Sequence, residues 1–269
     1  MKRVFLFVIS IAVIACVMYL LKTGSPAAGF AGVAYPTDNT HITFLTASDT
    51  ANFLLSDADT YSFNLSPLDL HARHAASYQE YQEASARSAR SFTSPEVFLL
   101  TKAAKRADKI IQDIRLDGCP SFANNLKKIP WVFASTEGST YEDGLPHTRL
   151  NIIFLSSVTL SRLAADEKEL VRTLIHEKIH IQQRLHPIET LALLKERGYI
   201  QWKERKGIPR IRANPDLDQW VYTDPNTKKE MAAYYTSDTP SSISDITLTS
   251  VNYEHPYEAI AYEVTSKVL

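Results

Sequence analysis

The stretch from residue 166 to residue 185 constrains the fold of this 269-residue chain more than any other. Leu170, Leu174, Ile181 and Leu185 recur at helical spacing, and Val171, Ile175 and Ile179 widen their side into a broad apolar face. Side chains three and four residues apart stack on one side of an α-helix, so this pattern predicts a helix buried along its back. Asp166 and Glu169 stand at capping-box spacing at its start, and Pro187 closes it. The opposite side carries Glu169, Arg172, Thr173, His176, His180 and Gln183. Two histidines therefore point to where an open cleft is expected, on a helix anchored from behind.

Other elements surround this helix. Ser94-Pro95-Glu96 combines a hydroxyl cap, a proline at the first helical position and an acid near the positive dipole end. Val97, Leu100, Ala104, Ala107, Ile111 and Ile114 follow with one apolar stripe, which predicts a helix of about six turns ended by Gly118. Residues 129–134 and 150–155 are β-branched and aromatic runs separated by a Gly/Ser/Asp-rich loop, and read as strands. A polar segment at 75–90 reads as a helix with an exposed face, and residues 188–197 as another. After a Pro/Asp/Asn-rich region, residues 220–223 and 231–235 flank a turn, which predicts a hairpin. A last helix opens at Pro256. The expected class is α+β.

Met1-Lys2-Arg3 precedes residues 4–21, which contain no charged residue, and Lys22 closes the run. At 1.5 Å rise per residue, that length just suffices to cross a hydrocarbon core. Residues 1–22 are expected to be a signal-anchor transmembrane helix, with a cytoplasmic N-terminus and an extracytoplasmic remainder. Small residues at 27–34 keep a cleaved signal peptide, and hence secretion, as the alternative. Residues 23–92 read as a stalk and N-terminal extension, and residues 93–269 as the principal domain. A net charge of −1 supplies no basic excess for phosphates, which argues against a nucleic-acid partner. Cys16 and Cys119 are the only cysteines, so neither a disulfide framework nor a Cys-rich zinc module can form in the domain. Cys119 reads as a small buried residue in a turn.

His176-Glu177-Lys178-Ile179-His180 carries the chemistry. Histidines one helical turn apart can converge on one tetrahedral Zn²⁺. Glu177 is offset by about 100° around the axis, too far to ligate easily but placed to take a proton from a water at the metal. A catalytic zinc site needs a third protein ligand and one open position. Glu258, in the first turn of the last helix, is the best source; Glu263, Glu254 and His255 are the alternatives. Tyr262, Tyr257, Tyr253 or His255 could stabilise an oxyanion, although tyrosines most often serve packing. His186 reads as a helix-end residue, His71 and His74 as surface histidines, and Trp131, Trp202 and Trp220 as core or interface aromatics.

Residues 174–183 (Leu-Ile-His-Glu-Lys-Ile-His-Ile-Gln-Gln), followed by Pro256-Tyr257-Glu258-Ala259-Ile260-Ala261, resemble the gluzincin branch of zincin metallopeptidases. Gln183 extends the motif to HExxHxxQ. The resemblance implies that His176, His180 and Glu258 are zinc ligands and that Glu177 is the general base. It also implies a zincin core, in which a supporting helix and a small sheet precede the motif helix; residues 94–185 supply that order. Residues 150–155 would then be the edge strand that pairs with a peptide substrate. The sequence departs from the pattern at Lys178, where an uncharged residue is usual. Its ammonium falls on the buried side of the helix and must reach an acid or the surface. The implied function is a membrane-anchored zinc peptidase acting on a peptide or protein. A zinc-stabilised, non-catalytic ectodomain that binds partners is the alternative.

Overall fold

The computed structural model describes residues 41–216, 218–250 and 253–268. The expected signal anchor lies outside them. Among the described residues, no helix is long and apolar enough to cross a membrane.

Five strands build the main sheet: β1 (Ile42–Phe44), β2 (Ala89–Arg90), β3 (Trp131–Thr136), β4 (His147–Arg149) and β5 (Ile152–Ser156). Their order is β1-β3-β5-β4, with β2 also pairing to β3. β1 and β5 run parallel to β3, whereas β2 and β4 run antiparallel to their neighbours. Every residue of β3 and β5 is buried, as expected of strands covered on both faces.

Between β1 and β2 come α1 (Ala47–Ser56), α2 (Pro67–His71) and α3 (Tyr78–Arg87). A long helix, α4 (Ser94–Ile111), and a short one, α5 (Phe122–Lys128), lead into β3. After β5 follow α6 (Ser157–Leu163), α7 (Glu167–Leu185) and α8 (Pro187–Glu196). A small antiparallel sheet of β6 (Ile200–Glu204), β7 (Trp220–Thr223) and β8 (Glu230–Met231) comes next. The pair β9 (Ala233–Tyr235) and β10 (Ile246–Leu248) precedes α9 (Pro256–Val268). The mixed α+β class is therefore as expected.

The core explains why α7 lies where it does. Leu170, Val171, Leu174, Ile175, Ile179 and Ile181 are fully buried on its back. They join Leu100 and Ile111 of α4, Phe133, Ile153 and Leu155 of the sheet, and Ile260 and Val264 of α9 in one cluster. Ala103, Ala104 and Ala107 are fully buried on α4, where short side chains allow close approach of its neighbours. The other side of the sheet is covered by the N-terminal helices. Phe53 of α1 packs on Phe154 at 5.8 Å, and the Arg149 guanidinium lies over the rings of Phe53 and Tyr61 while pairing with Asp57 and Asp59.

Several expectations need correction. Residues 42–92 are not a stalk or extension, because β1 and β2 pair with β3 in the same sheet. The supporting helix is capped by Thr93 rather than Ser94, and it ends at Ile111 rather than near Gly118. Arg115 donates to the carbonyls of Gln112 and Ile114 as the chain turns away. The strand at 150–155 is interior, paired on both sides, so it cannot receive a peptide; the edge belongs to β4. Trp131 is a core residue and Trp220 packs against the core, whereas Trp202 is exposed, at a register shift between Gln201 and Lys203. His71 and His74 are exposed, and Cys119 is buried, as expected.

Candidate metal centre

α7 begins where Asp166 accepts hydrogen bonds from the backbone of Lys168 and Glu169, 3.0 and 3.1 Å away. That start and the buried back fix the rotation of the helix, and His176 and His180 leave it one turn apart on the side facing α9. Their ring centroids are 4.7 Å apart at an interplanar angle of 71°. The two Nε2 atoms are 3.0 Å from each other. Pro256 opens α9, and Ile260, Ala261 and Val264 bury its inner side in the core, which brings Glu258 to both rings. Its Oε2 is 3.2 Å from His176 Nε2 and its Oε1 is 3.3 Å from His180 Nε2.

Three donors so placed suit a small tetrahedral ion. Bonds of about 2.0–2.1 Å require ligand atoms roughly 3.3–3.4 Å apart. The separations found here lie within a few tenths of an ångström of that edge. Imidazole nitrogen with one carboxylate is also the donor set of a borderline metal such as zinc rather than of calcium or magnesium, which prefer oxygen alone. Among the described residues these three form the group able to hold a metal.

The other expected candidates are engaged elsewhere. Glu263 holds Arg197 at 2.9 Å and Lys267 at 2.7 Å. Glu254 pairs with Arg212, and His255 Nε2 lies 3.1 Å from Asp218. His186 links α7 to α8, its N–H donating to Gln182 and its carbonyl accepting from Thr190. Lys178 is fully buried, and its ammonium reaches an acid, Asp108 at 3.3 Å, while lying 3.8 Å from the centre of the Trp131 ring.

Sequence reasoning missed Asp216. Its Oδ2 lies 3.1 Å from His180 Nδ1, and Gln183 Oε1 lies 3.0 Å from the same nitrogen. A carboxylate can only accept, so Nδ1 carries the hydrogen and Nε2 is left to face Glu258 and His176. Gln183 is itself held, since its Nε2 donates to the Tyr257 carbonyl at 3.0 Å. Asp216 is held by Arg184 at 3.0 Å, and Arg184 also donates to the Leu150 carbonyl at 2.6 Å and to Thr148 Oγ1 at 3.1 Å. No local signal marks Asp216 within its polar region. The requirement that a metal-facing imidazole have an acceptor behind it is the one clue to look for such a residue.

The electrostatics favour a cation at this point. Burial pulls His180 towards neutrality, but the Asp216 and Glu258 carboxylates outweigh it and hold its pKa well above the ordinary value. Burial would raise Glu258, yet His180 and His176 keep it well below the usual carboxylate range. Glu177 is raised, mainly by burial, with the two histidines opposing and Glu258 and Asp216 adding to the shift. The histidine side is less open than expected: His180 and Glu177 are buried, whereas His176 keeps 14% of its side chain exposed. Glu258 keeps 16%, so solvent reaches the centre past His176 and Glu258. Tyr262 stands there, with its ring 4.7 Å from that of His176 and 47% of the residue exposed.

Comparison with known proteins finds no matching family model, no matching curated protein and no matching solved structure.

Proposed function

We propose that this protein is a zinc-dependent peptidase with a zincin-like core, in which His176, His180 and Glu258 hold the ion and Glu177 moves the proton. The triangle of donors formed by those three ligands, with Asp216 fixing one imidazole from behind, is the observation that carries the reading. When bound, zinc supplies Lewis acidity, which polarises a carbonyl and makes water acidic near neutral pH.

Everything else falls to the chain's own groups. Glu177, one residue from the first ligand and buried, accepts the proton of the attacking water on its carboxylate and returns it to the leaving amine. Its raised pKa reflects a site that binds a proton readily. Tyr262 offers a hydroxyl to the developing oxyanion. Burial, with Glu258 and Glu177 nearby, raises its pKa, so it remains a donor at neutral pH. The peptide enters past the exposed side of His176. It does not add to β5, and on β4 the outward carbonyl of Thr148 already accepts from Arg184. The uncharged run at 4–21 supports an extracytoplasmic, membrane-tethered setting.

The test compares full-length wild type with Glu177→Gln. Both should bind one zinc per chain, and the variant should hydrolyse a peptide mixture about 10²–10⁴-fold more slowly. Zinc bound by both with no hydrolysis by either would leave only a structural metal centre in a binding ectodomain. Wild-type protein without stoichiometric metal would end the reading altogether.

A further inference from the structure

A cavity of about 540 Å³ opens beside the metal centre. Tyr262 and Ala259 belong to its wall: Ala259 follows Glu258 on α9, and Tyr262 stands one turn further along the same helix. Tyr253 stacks on Tyr262 at 5.2 Å and lines the cavity as well, with Tyr199 and Met231. The same Tyr262 ring packs against His176. Tyr262 therefore stands between the cavity and His176, the first of the three donors.

We propose that this cavity receives a bulky uncharged side chain, aromatic above all, from the residue next to the bond being cut. The inference rests on the peptidase reading given above and names the substrate class for that site. Its volume lies within the range of about 300–1,000 Å³ usual for ligand pockets. Three tyrosine rings and a methionine present the surfaces on which another ring packs in offset or edge-on fashion. Successive Cα atoms are only about 3.8 Å apart, so a carbonyl at His176 and Glu258 leaves the adjacent side chain within reach of Tyr262.

Charge decides against the other classes. Asp224 and Glu263 are the acids of the wall. Glu263 is already neutralised by Arg197 and Lys267. Asp224 caps its own turn, accepting from the backbone of Asn226 at 2.9 Å and of Thr227 at 2.7 Å. A lysine or arginine would find no uncommitted partner, and an acidic side chain would meet two carboxylates. An uncharged ring loses nothing of that kind.

The experiment uses full-length, zinc-loaded Glu177→Gln, which binds without cleaving. Four otherwise identical peptides carry Phe, Ala, Lys or Glu at one position, and that position is moved along the peptide. Calorimetric titration should show the Phe peptide binding at least ~10-fold tighter than the others in one register. Adding Ser266→Trp should abolish the preference with zinc content unchanged, because exposed Ser266 lines the cavity on the solvent side of α9. Thr227→Trp, from the opposite wall, is a second blocking variant should the first fail to fold. Four peptides binding within about threefold in every register, or a Phe preference that survives both blocks, overturns the proposal. Hydrolysis by wild type is scored separately. Cleavage without side-chain preference defeats the pocket alone, whereas a blockable Phe preference without cleavage defeats the peptidase reading alone.

Discussion

Asp216→Ala should weaken zinc binding without unfolding the protein, and its size can be worked from the contacts. Asp216 is buried, with 7% of its side chain exposed, and makes charge-assisted contacts to His180 Nδ1 at 3.1 Å and Arg184 at 3.0 Å. Loss of the acceptor behind a metal-binding histidine typically costs 10–100-fold in metal affinity, or about 1.4–2.7 kcal/mol. Gln183 lies 3.0 Å from the same nitrogen, so one acceptor survives and the single variant should fall at the lower end, near ~10-fold. Gln183→Ala alone should cost less, because the charged acceptor remains. The double variant leaves Nδ1 with neither, and should lose more than the two single effects added together. Arg184 keeps its contacts to Leu150 and Thr148, which limits damage to the fold. Competition against a chromophoric chelator measures the affinities, and thermal melts of the metal-free proteins check the fold. Zinc affinity within twofold of wild type in the double variant would refute the assignment of these groups.

Two further predictions concern buried charges. Lys178 has its pKa pushed down by burial to about 8, with Asp108 opposing, against an ordinary value of 10.5. The unfolded chain therefore holds the proton more tightly between those values, stability rises with pH across that window, and below about 8 a constant penalty of about 3 kcal/mol remains. Lys178→Met should melt higher than wild type at pH 7 and lose that part of the pH slope, as followed by denaturant titrations at pH 7 to 10; Asp108 keeps the Trp131 Nε1–H at 3.0 Å and partial solvent contact. Glu142 behaves oppositely. Burial alone would raise it, but Arg73, which binds both its oxygens, His147 and the Tyr81 hydroxyl hold it down to about 2. Its carboxylate stabilises the fold above about 4.5, and that stability is lost as pH falls towards about 2. Glu142→Gln should cost roughly 3–5 kcal/mol at pH 7 by stranding buried Arg73, and the gap from wild type should shrink below about pH 4.5, read from urea midpoints.

How much of the fold was legible depended on whether local signals agreed. For α7 the cap at Asp166, the apolar period and Pro187 all pointed the same way, and the helix runs as expected. For α4 they did not. Ile114 continues the apolar spacing although the backbone leaves the helix after Ile111, because Ile114 and Leu116 join the core from the turn beyond. β4 was invisible: His147-Thr148-Arg149 has no strand-like composition, and it is a strand because β5 pairs with it. The N-terminal portion did carry readable signals that its polar composition obscured. Thr46 with Asp49, and Ser66-Pro67 with Asp69, are complete capping boxes that start α1 and α2.

At the site, the three residues that come together were legible and their support was not, for one physical reason. His176, His180 and Glu258 are placed by helices, whose period converts sequence spacing into direction. Asp216 is placed by a loop whose form depends on side-chain contacts, with Asn214 bonding both the N–H and the carbonyl of Asp218. Only the folded chain shows that Arg184 ties this loop to β4. One guanidinium bridges the carbonyl of Leu150, the hydroxyl of Thr148 and the carboxylate of Asp216, and that carboxylate orients His180. His180 is thus fixed from the sheet side. His176, by contrast, meets solvent and Tyr262. The centre has a hydrogen-bonded half and an accessible half, so the proposed peptide substrate is expected through the tyrosine-lined side rather than along the strand that Arg184 already holds.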